Sequence, residues 1–273
     1  LTAITLDDVK AYAKTLYDKV YITGMIHGNW SDKEAMQSVD ILLSALGSKP
    51  LPENERFEQV VEVMPEGERF RFSREVEDNN NSLAYAIQVG EKDFSLMAKV
   101  SMIASIVESD FYTQMRTNQQ LGYIVWSFNQ RIEDRIFFRL VIQSSTHGPF
   151  ELSKRVNAWM ASTEKLFSKL TDQEFERHQQ SLIVALEKKG DSIGAIAGDL
   201  YSLAADEKGD FRFKKKLIQA VKDLKKEGVA KTARKIFRDD STPRLEVLMR
   251  AKGSKEKVPE GVITEVSQFP TSD

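Results

Sequence analysis

Three histidines, His27, His147 and His178, are the only imidazoles in 273 residues, and no two are neighbours in sequence. A catalytic zinc on a helix needs two histidines and a glutamate on one face. Neither H-E-x-x-H nor H-x-x-E-H can be written here. Glu174 and His178 share a helix face at i, i+4 and could supply two metal ligands, but no third is near, so they read as a solvated surface pair. His27 precedes Gly28 at the end of an apolar run and reads as a satisfied strand-end histidine; His147, in "STHGPF", reads as a solvent-facing turn residue. Ser162 and Lys165 spell S-x-x-K, but within a surface-helix pattern and without the companion motifs of that hydrolase class. No G-x-S-x-G, G-x-G-x-x-G or G-x-x-x-x-G-K-[ST] occurs, which argues against α/β-hydrolase, dinucleotide and P-loop chemistry. With no cysteine there is no disulfide, no thiolate metal site and no cysteine nucleophile.

What remains is "RTNQQLGYIV", Arg116 to Val125. Arg116 falls at the end of a long helical pattern, where a cation can simply neutralise exposed carbonyls. Tyr123 follows Gly122 at the start of a strand pattern and could be packing with its hydroxyl in solvent. Together they suggest more. A short turn holds a helix end close to the following strand, so a guanidinium and a phenol can reach one patch and donate hydrogen bonds to a peptide carbonyl, or to the oxyanion it becomes.

The elements around this turn follow from periodicity. Leu6, Val9, Ala13, Leu16 and Tyr17 mark a helix behind a Thr5/Asp8 capping box, "VYITGMIHG" (Val20 to Gly28) reads as an apolar strand, and Ser31 with Glu34 opens a second helix ending at Gly47. "GSKPLPENE" is a linker signal. Phe70 and Phe72 alternate with Arg69 and Arg71, and Leu83, Tyr85, Ile87 and Val89 form a second alternating run, giving two strands. Leu96, Val100, Ile103, Val107, Phe111 and Met115 define a long buried helix. "LGYIVWSF" and "RIFFRLVIQS" form a hairpin across the polar "NQRIED". Helices then follow at 149–167, 171–189 (Thr171/Glu174 capping box, Gly190 as terminator), 194–206, 213–222 and 226–238, and "RLEVLMR" after Pro243 is a closing strand. The expected fold class is α+β, an antiparallel-rich sheet packed against helices.

A shift of 220 residues aligns Val9, Ala13, Leu16 and Tyr17 with Val229, Ala233, Ile236 and Phe237, each set leading toward a strand. The chain therefore reads as the C-terminal end of a preceding module (1–47), a linker (48–65) and one complete module (66–273). The start "LTAITLDDVK" reads like the inside of a longer protein. Composition is that of a folded domain, 41% hydrophobic and 29% charged. With 39 Lys plus Arg against 41 Asp plus Glu, no bulk field recruits nucleic acid or an anionic membrane. The basic run Lys214 to Lys216 sits among Asp206, Glu207, Asp210 and Asp223 and reads as a solvated face. No apolar run approaches the ~20 residues of a membrane span.

"MRTNQQLGYIVWSF" closely resembles the R-x-x-x-Q-L-G-Y segment in the C-terminal domain of the pitrilysin and insulin-degrading enzyme family, zinc endopeptidases of the inverzincin type. "FYTQMRT", "FRLVIQSS" and "KLTDQEFERHQQSLIVAL" are similar to that family's sequence around and after this segment, and "YITGMIHGN" to the strand closing its third domain. The resemblance implies four related α+β modules around a chamber, the first carrying the inverted zinc motif. The fourth would lend an arginine and a tyrosine that reach the bound peptide near the scissile bond. Those roles fall on Arg116 and Tyr123. This stretch would then hold no catalytic residue, metal ligand or cofactor of its own; zinc would belong to the catalytic domain of the parent protein. Its partners would be the N-terminal catalytic half and peptide substrates, in the periplasm if the source is bacterial. The alternative is a scaffold or regulatory subunit of processing-peptidase or respiratory core-protein type. A third possibility is an enzyme by an unrecognised route.

Overall fold

Capping chemistry decides where the first helices begin. In the computed structural model, which describes residues 3–57 and 59–270, Thr5 opens α1 (Leu6–Leu16) and Ser31 opens α2 (Asp32–Leu46). Each cap accepts a bond from the N–H three residues on, while Asp8 or Glu34 returns a carboxylate to the cap's own N–H. Hydrogen bonding from these caps holds both carboxyls below the usual carboxylate range. Gly47 ends α2 in the left-handed conformation.

Residues up to Gln59 form one unit together with Lys189–Phe213, and the rest of the chain forms a second. In the first unit, the strand expected over Val20–Gly28 is not formed. Only β1 (Lys19–Val20) pairs, in parallel, with β2 (Lys49–Pro50), and residues 21–27 carry no regular structure. β-rich composition is insufficient there because no described strand lies beside these residues to take their hydrogen bonds. Neither α1 nor α2 has a buried residue; Leu6, Val9, Leu16, Tyr17, Met36 and Ile41 all stand exposed.

The second unit is built on β3 (Arg69–Glu75), β4 (Asn81–Glu91), α3 (Phe94–Tyr112), β5 (Ile124–Ile132), β6 (Arg135–Ser144), α4 (Pro149–Lys169) and α5 (Asp172–Glu187). α6 (Ile193–Ala205) groups with the first unit; α7 (Phe213–Lys222), α8 (Lys226–Arg238) and β7 (Arg244–Arg250) complete the chain's regular elements. Five strands form one sheet in the order β3-β7-β4-β6-β5. Only β3 and β7 run parallel; the other neighbours are antiparallel. β3 and β5 are the edges, and the hairpin places β5 outermost.

Alternation along the strands sorts the sheet into two faces. Leu83, Tyr85 and Ile87 of β4 register with Ile142, Leu140 and Phe138 of β6, and all are buried. Against them lie α3, α4 and α8. Phe111, Trp159, Phe237 and Phe138 join in edge-to-face contacts with centroids 4.7 to 5.6 Å apart. On α8, Val229, Ala233, Ile236 and Phe237 are buried, whereas their counterparts Val9, Leu16 and Tyr17 on α1 are exposed. The same sequence pattern has a core to enter in one place and none in the other.

Two further expectations are corrected. β5 does not stop before "NQRIED" but continues to Ile132, leaving Glu133 and Asp134 as the turn, with Glu133 at φ +49°. An edge strand tolerates polar residues on both faces: Asn129 donates to Ser101 Oγ (3.2 Å) and Gln130 accepts from Arg139 Nε (2.8 Å). Nor is Gly190 a left-handed helix terminator. Lys188 caps α5, and Gly190 is needed because a Cβ there would lie 2.7 Å from the Ile196 nitrogen.

Candidate functional site

The helix end that carries Arg116 is wider than an α-helix. After Tyr112 the backbone passes into a π-type segment, Thr113–Asn118, and the Gln119 N–H reaches back to the Gln114 carbonyl at 3.2 Å. Gln120 adopts φ +52°, a left-handed conformation costly for a residue with a Cβ. Leu121 follows, fully buried, its N–H on the Met115 carbonyl at 2.9 Å. Gly122 passes so close to β6 that an added Cβ would sit 1.8 Å from the Gln143 carbonyl oxygen. The chain is thus over-determined on both sides of the turn, and Tyr123 is delivered to the surface, 80% exposed.

Arg116 Nη1 donates to the backbone carbonyl of Tyr123 at 2.7 Å. Its guanidinium carbon lies 4.5 Å from the Tyr123 ring centre and 5.2 Å from that of Tyr112. A planar cation held near two phenol rings is pre-oriented at little rotamer cost, and its bond to the Tyr123 carbonyl bridges helix end and strand start. Arg116 and Tyr123 therefore lie side by side at an open corner, next to the edge strand β5, on which Trp126 and Phe128 are also exposed. Gln119 closes the turn from behind, accepting from Arg155 Nη1 at 3.2 Å.

The histidines gather nowhere. His27 is exposed in the first unit, and His147 contacts Thr146 Oγ1 through Nδ1 at 2.9 Å in its turn. His178 is not the solvated residue its helix position suggested. Its Nδ1 meets Ser105 Oγ on α3 at 2.9 Å, and burial, with Arg177 nearby, holds its pKa below the ordinary value. Glu174 is occupied as the capping partner of Thr171, whose bonds keep its carboxyl low. Ser162 donates to the Trp159 carbonyl within α4, so S-x-x-K is no dyad. Among the described residues no group of three or more His, Asp or Glu converges to hold a metal ion.

Sequence reasoning missed a buried carboxylate. Glu246 of β7 accepts from Tyr85 Oη (2.9 Å), Ser153 Oγ (2.6 Å) and Arg71 Nε (3.3 Å). Burial and the Glu246 charge push the Tyr85 phenol well above its usual pKa. The network ties α4 to three strands. Its signal was the lone acid at an inward position of "RLEVLMR", sharing a face with Arg244 and Leu248.

Residues 102–200 match a family model described as PQQ synthase PqqF-like, C-terminal lobe domain 4. A nardilysin-like protein of Arabidopsis thaliana is 28% identical over 250 residues, covering 88% of this chain and 24% of that protein. Human insulin-degrading enzyme is 26% identical over 254 residues, covering 90% and 25%. The chain thus spans about a quarter of the length of these curated relatives. Among solved structures, pitrilysin superposes with a TM-score of 0.80 at 23% identity, covering 97% of this chain and 28% of its own. A peptidase M16 inactive domain from Pseudomonas fluorescens gives 0.59 at 20% identity, covering 93% and 59%. The helix-backed, largely antiparallel sheet is the fold of those structures. The chain is thus similar to the C-terminal part of proteins of the pitrilysin and insulin-degrading enzyme family of zinc metallopeptidases.

Proposed function

We propose that this chain is the substrate-binding, non-catalytic C-terminal part of a zinc metalloendopeptidase that degrades peptides, and that Arg116 and Tyr123 contact the peptide near the scissile bond in the assembled enzyme. The observation that carries the reading is the exposed pairing of the two side chains on a turn fixed from both sides. Arg116 spends one N–H on the Tyr123 carbonyl and keeps the others for a peptide carbonyl. The Tyr123 hydroxyl, in solvent, can add a bond that strengthens as the tetrahedral intermediate forms. Among the described residues no group of His, Asp and Glu converges on a metal site, and in this reading zinc is carried by the N-terminal catalytic half, the partner of this chain. Residues 1–47 are the end of a preceding module, 48–65 a linker and 66–273 the final module. The bare apolar faces of α1 and α2, beside the buried counterpart pattern on α8, support that division.

Arg116→Ala and Tyr123→Phe in the full-length enzyme test it. Each should lower kcat/KM by about 30- to 1000-fold, the loss expected for one oxyanion donor worth about 2–4 kcal/mol, with the protein still folded. Wild-type kinetics in both variants would remove the assignment.

A further inference from the structure

The face of the sheet opposite the helices is only partly covered, and what covers it encloses a cavity of about 540 Å³, within the range of small-molecule sites. Its floor is Ala86, a small residue flanked in register by Arg139 on β6 and Leu245 on β7, so volume is left where a larger side chain would stand. One wall is the segment Val63–Pro65. The buried Gln88 amide holds it by accepting from the Met64 N–H (3.1 Å) and donating to the Met64 carbonyl (3.0 Å). The other wall is Phe269, edge-on to Phe70 and tilted against Phe72 with centroids 5.7 and 5.9 Å away, on a segment that Ile263 ties to β3 through two 2.8 Å backbone bonds. Both walls are pinned by named bonds, which makes the cavity a preformed one.

The lining is apolar except for Arg139 and Glu62, and Glu62 is already engaged in a contact of its own. Arg139 donates Nε to Gln130, and its guanidinium lies 5.5 Å from the Phe137 ring centre. Among the described residues no carboxylate pairs with it and neither Nη nitrogen has a protein acceptor. Burial pulls its pKa below the ordinary guanidinium value, as expected for a cation partly stripped of water without a counter-ion. A forked cation facing an apolar cavity has the donors a carboxylate needs, with room beside it for an apolar body.

We propose that this cavity binds a monocarboxylate bearing a single apolar chain or ring, its carboxylate on Arg139 and its apolar part over Ala86 between Phe70 and Phe137. A free fatty acid and a peptide ending in an apolar residue present the same chemistry. The site stands apart from the reading of Arg116 and Tyr123.

Calorimetric titration of the chain with decanoate, decanol, N-acetyl-Leu-Phe and its C-terminal amide tests the proposal. At least one carboxylate should bind about tenfold or more tighter than its uncharged counterpart, equivalent to ~1.4 kcal/mol. Decanoate identifies the fatty-acid source and the dipeptide acid the peptide one. Arg139→Gln should abolish that preference while leaving the weak binding of the neutral probes. Ala86→Leu, which fills the floor, and Phe269→Ser, which opens the wall, should weaken every probe, each variant first shown to be folded by circular dichroism. Absence of binding by both carboxylates, equal affinity for charged and neutral probes, or undiminished carboxylate binding by Arg139→Gln would overturn the assignment.

Discussion

Replacing Gly122 by alanine interrogates the geometry of the turn with a single methyl group. The new Cβ would lie 1.8 Å from the Gln143 carbonyl oxygen and 2.8 Å from its carbon, where 3.0 Å is already closer than side chains tolerate. The obstacle is backbone, and Gln143 registers with Ile124 and Ser82 on its two neighbouring strands, so it cannot retreat without straining two ladders. Overpacking of this kind costs about 3 kcal/mol, which in a unit of this size lowers Tm by roughly 6–12 °C. Gly90→Ala is the control, because its Cβ would meet only the flexible end of Leu96 at 3.0 Å and should cost roughly 1 kcal/mol or less. Thermal unfolding of the chain by circular dichroism reads both. In the full-length enzyme, Gly122→Ala should also lose activity, since the movement that relieves the clash displaces Tyr123 from Arg116. A Tm equal to wild type for Gly122→Ala would refute the close approach and the argument that the turn is fixed from both sides.

Arg116→Ala in the chain alone should change stability by no more than ~1 kcal/mol in urea unfolding, because its ring contacts and single bond lie at an exposed corner. A large loss would make Arg116 a structural residue. Glu246→Ala removes the acceptor shared by the Ser153 hydroxyl and the Arg71 guanidinium and leaves the Tyr85 hydroxyl with Asn157 alone, and should cost about 3 kcal/mol by the same measurement, whereas Tyr85→Phe should cost about 1 kcal/mol. His178 has a folded-state pKa below the ordinary 6.5, so the unfolded chain takes up its proton first as pH falls. Its contribution to stability is therefore intact above pH 6.5 and is lost as pH drops through the lower folded value. His178→Gln should flatten that part of the stability–pH profile, and an unchanged slope would mean the imidazole is not held neutral by burial and the nearby Arg177.

The sequence by itself determined whatever depends on neighbours three or four residues away. The capping boxes at Thr5, Ser31 and Thr171, the helices behind them and the alternation of β3 and β4 are local bargains between side chains and adjacent backbone, and they form wherever that pattern occurs. That Arg116 and Tyr123 would lie close was legible for the same reason, seven residues apart across one turn. Tertiary structure decided the rest. "VYITGMIHG" has strand composition and is not a strand, because pairing needs a partner that no local rule supplies. The apolar pattern of α8 is core and the echoing pattern of α1 is surface, because burial is a property of what lies opposite. Gly122 is required by Gln143, Glu246 is satisfied by residues up to 175 positions away, and His178 is held by Ser105 from another helix. Each of these contacts joins segments distant along the chain, and only the folded backbone sets which segments come within an ångström-scale reach of one another.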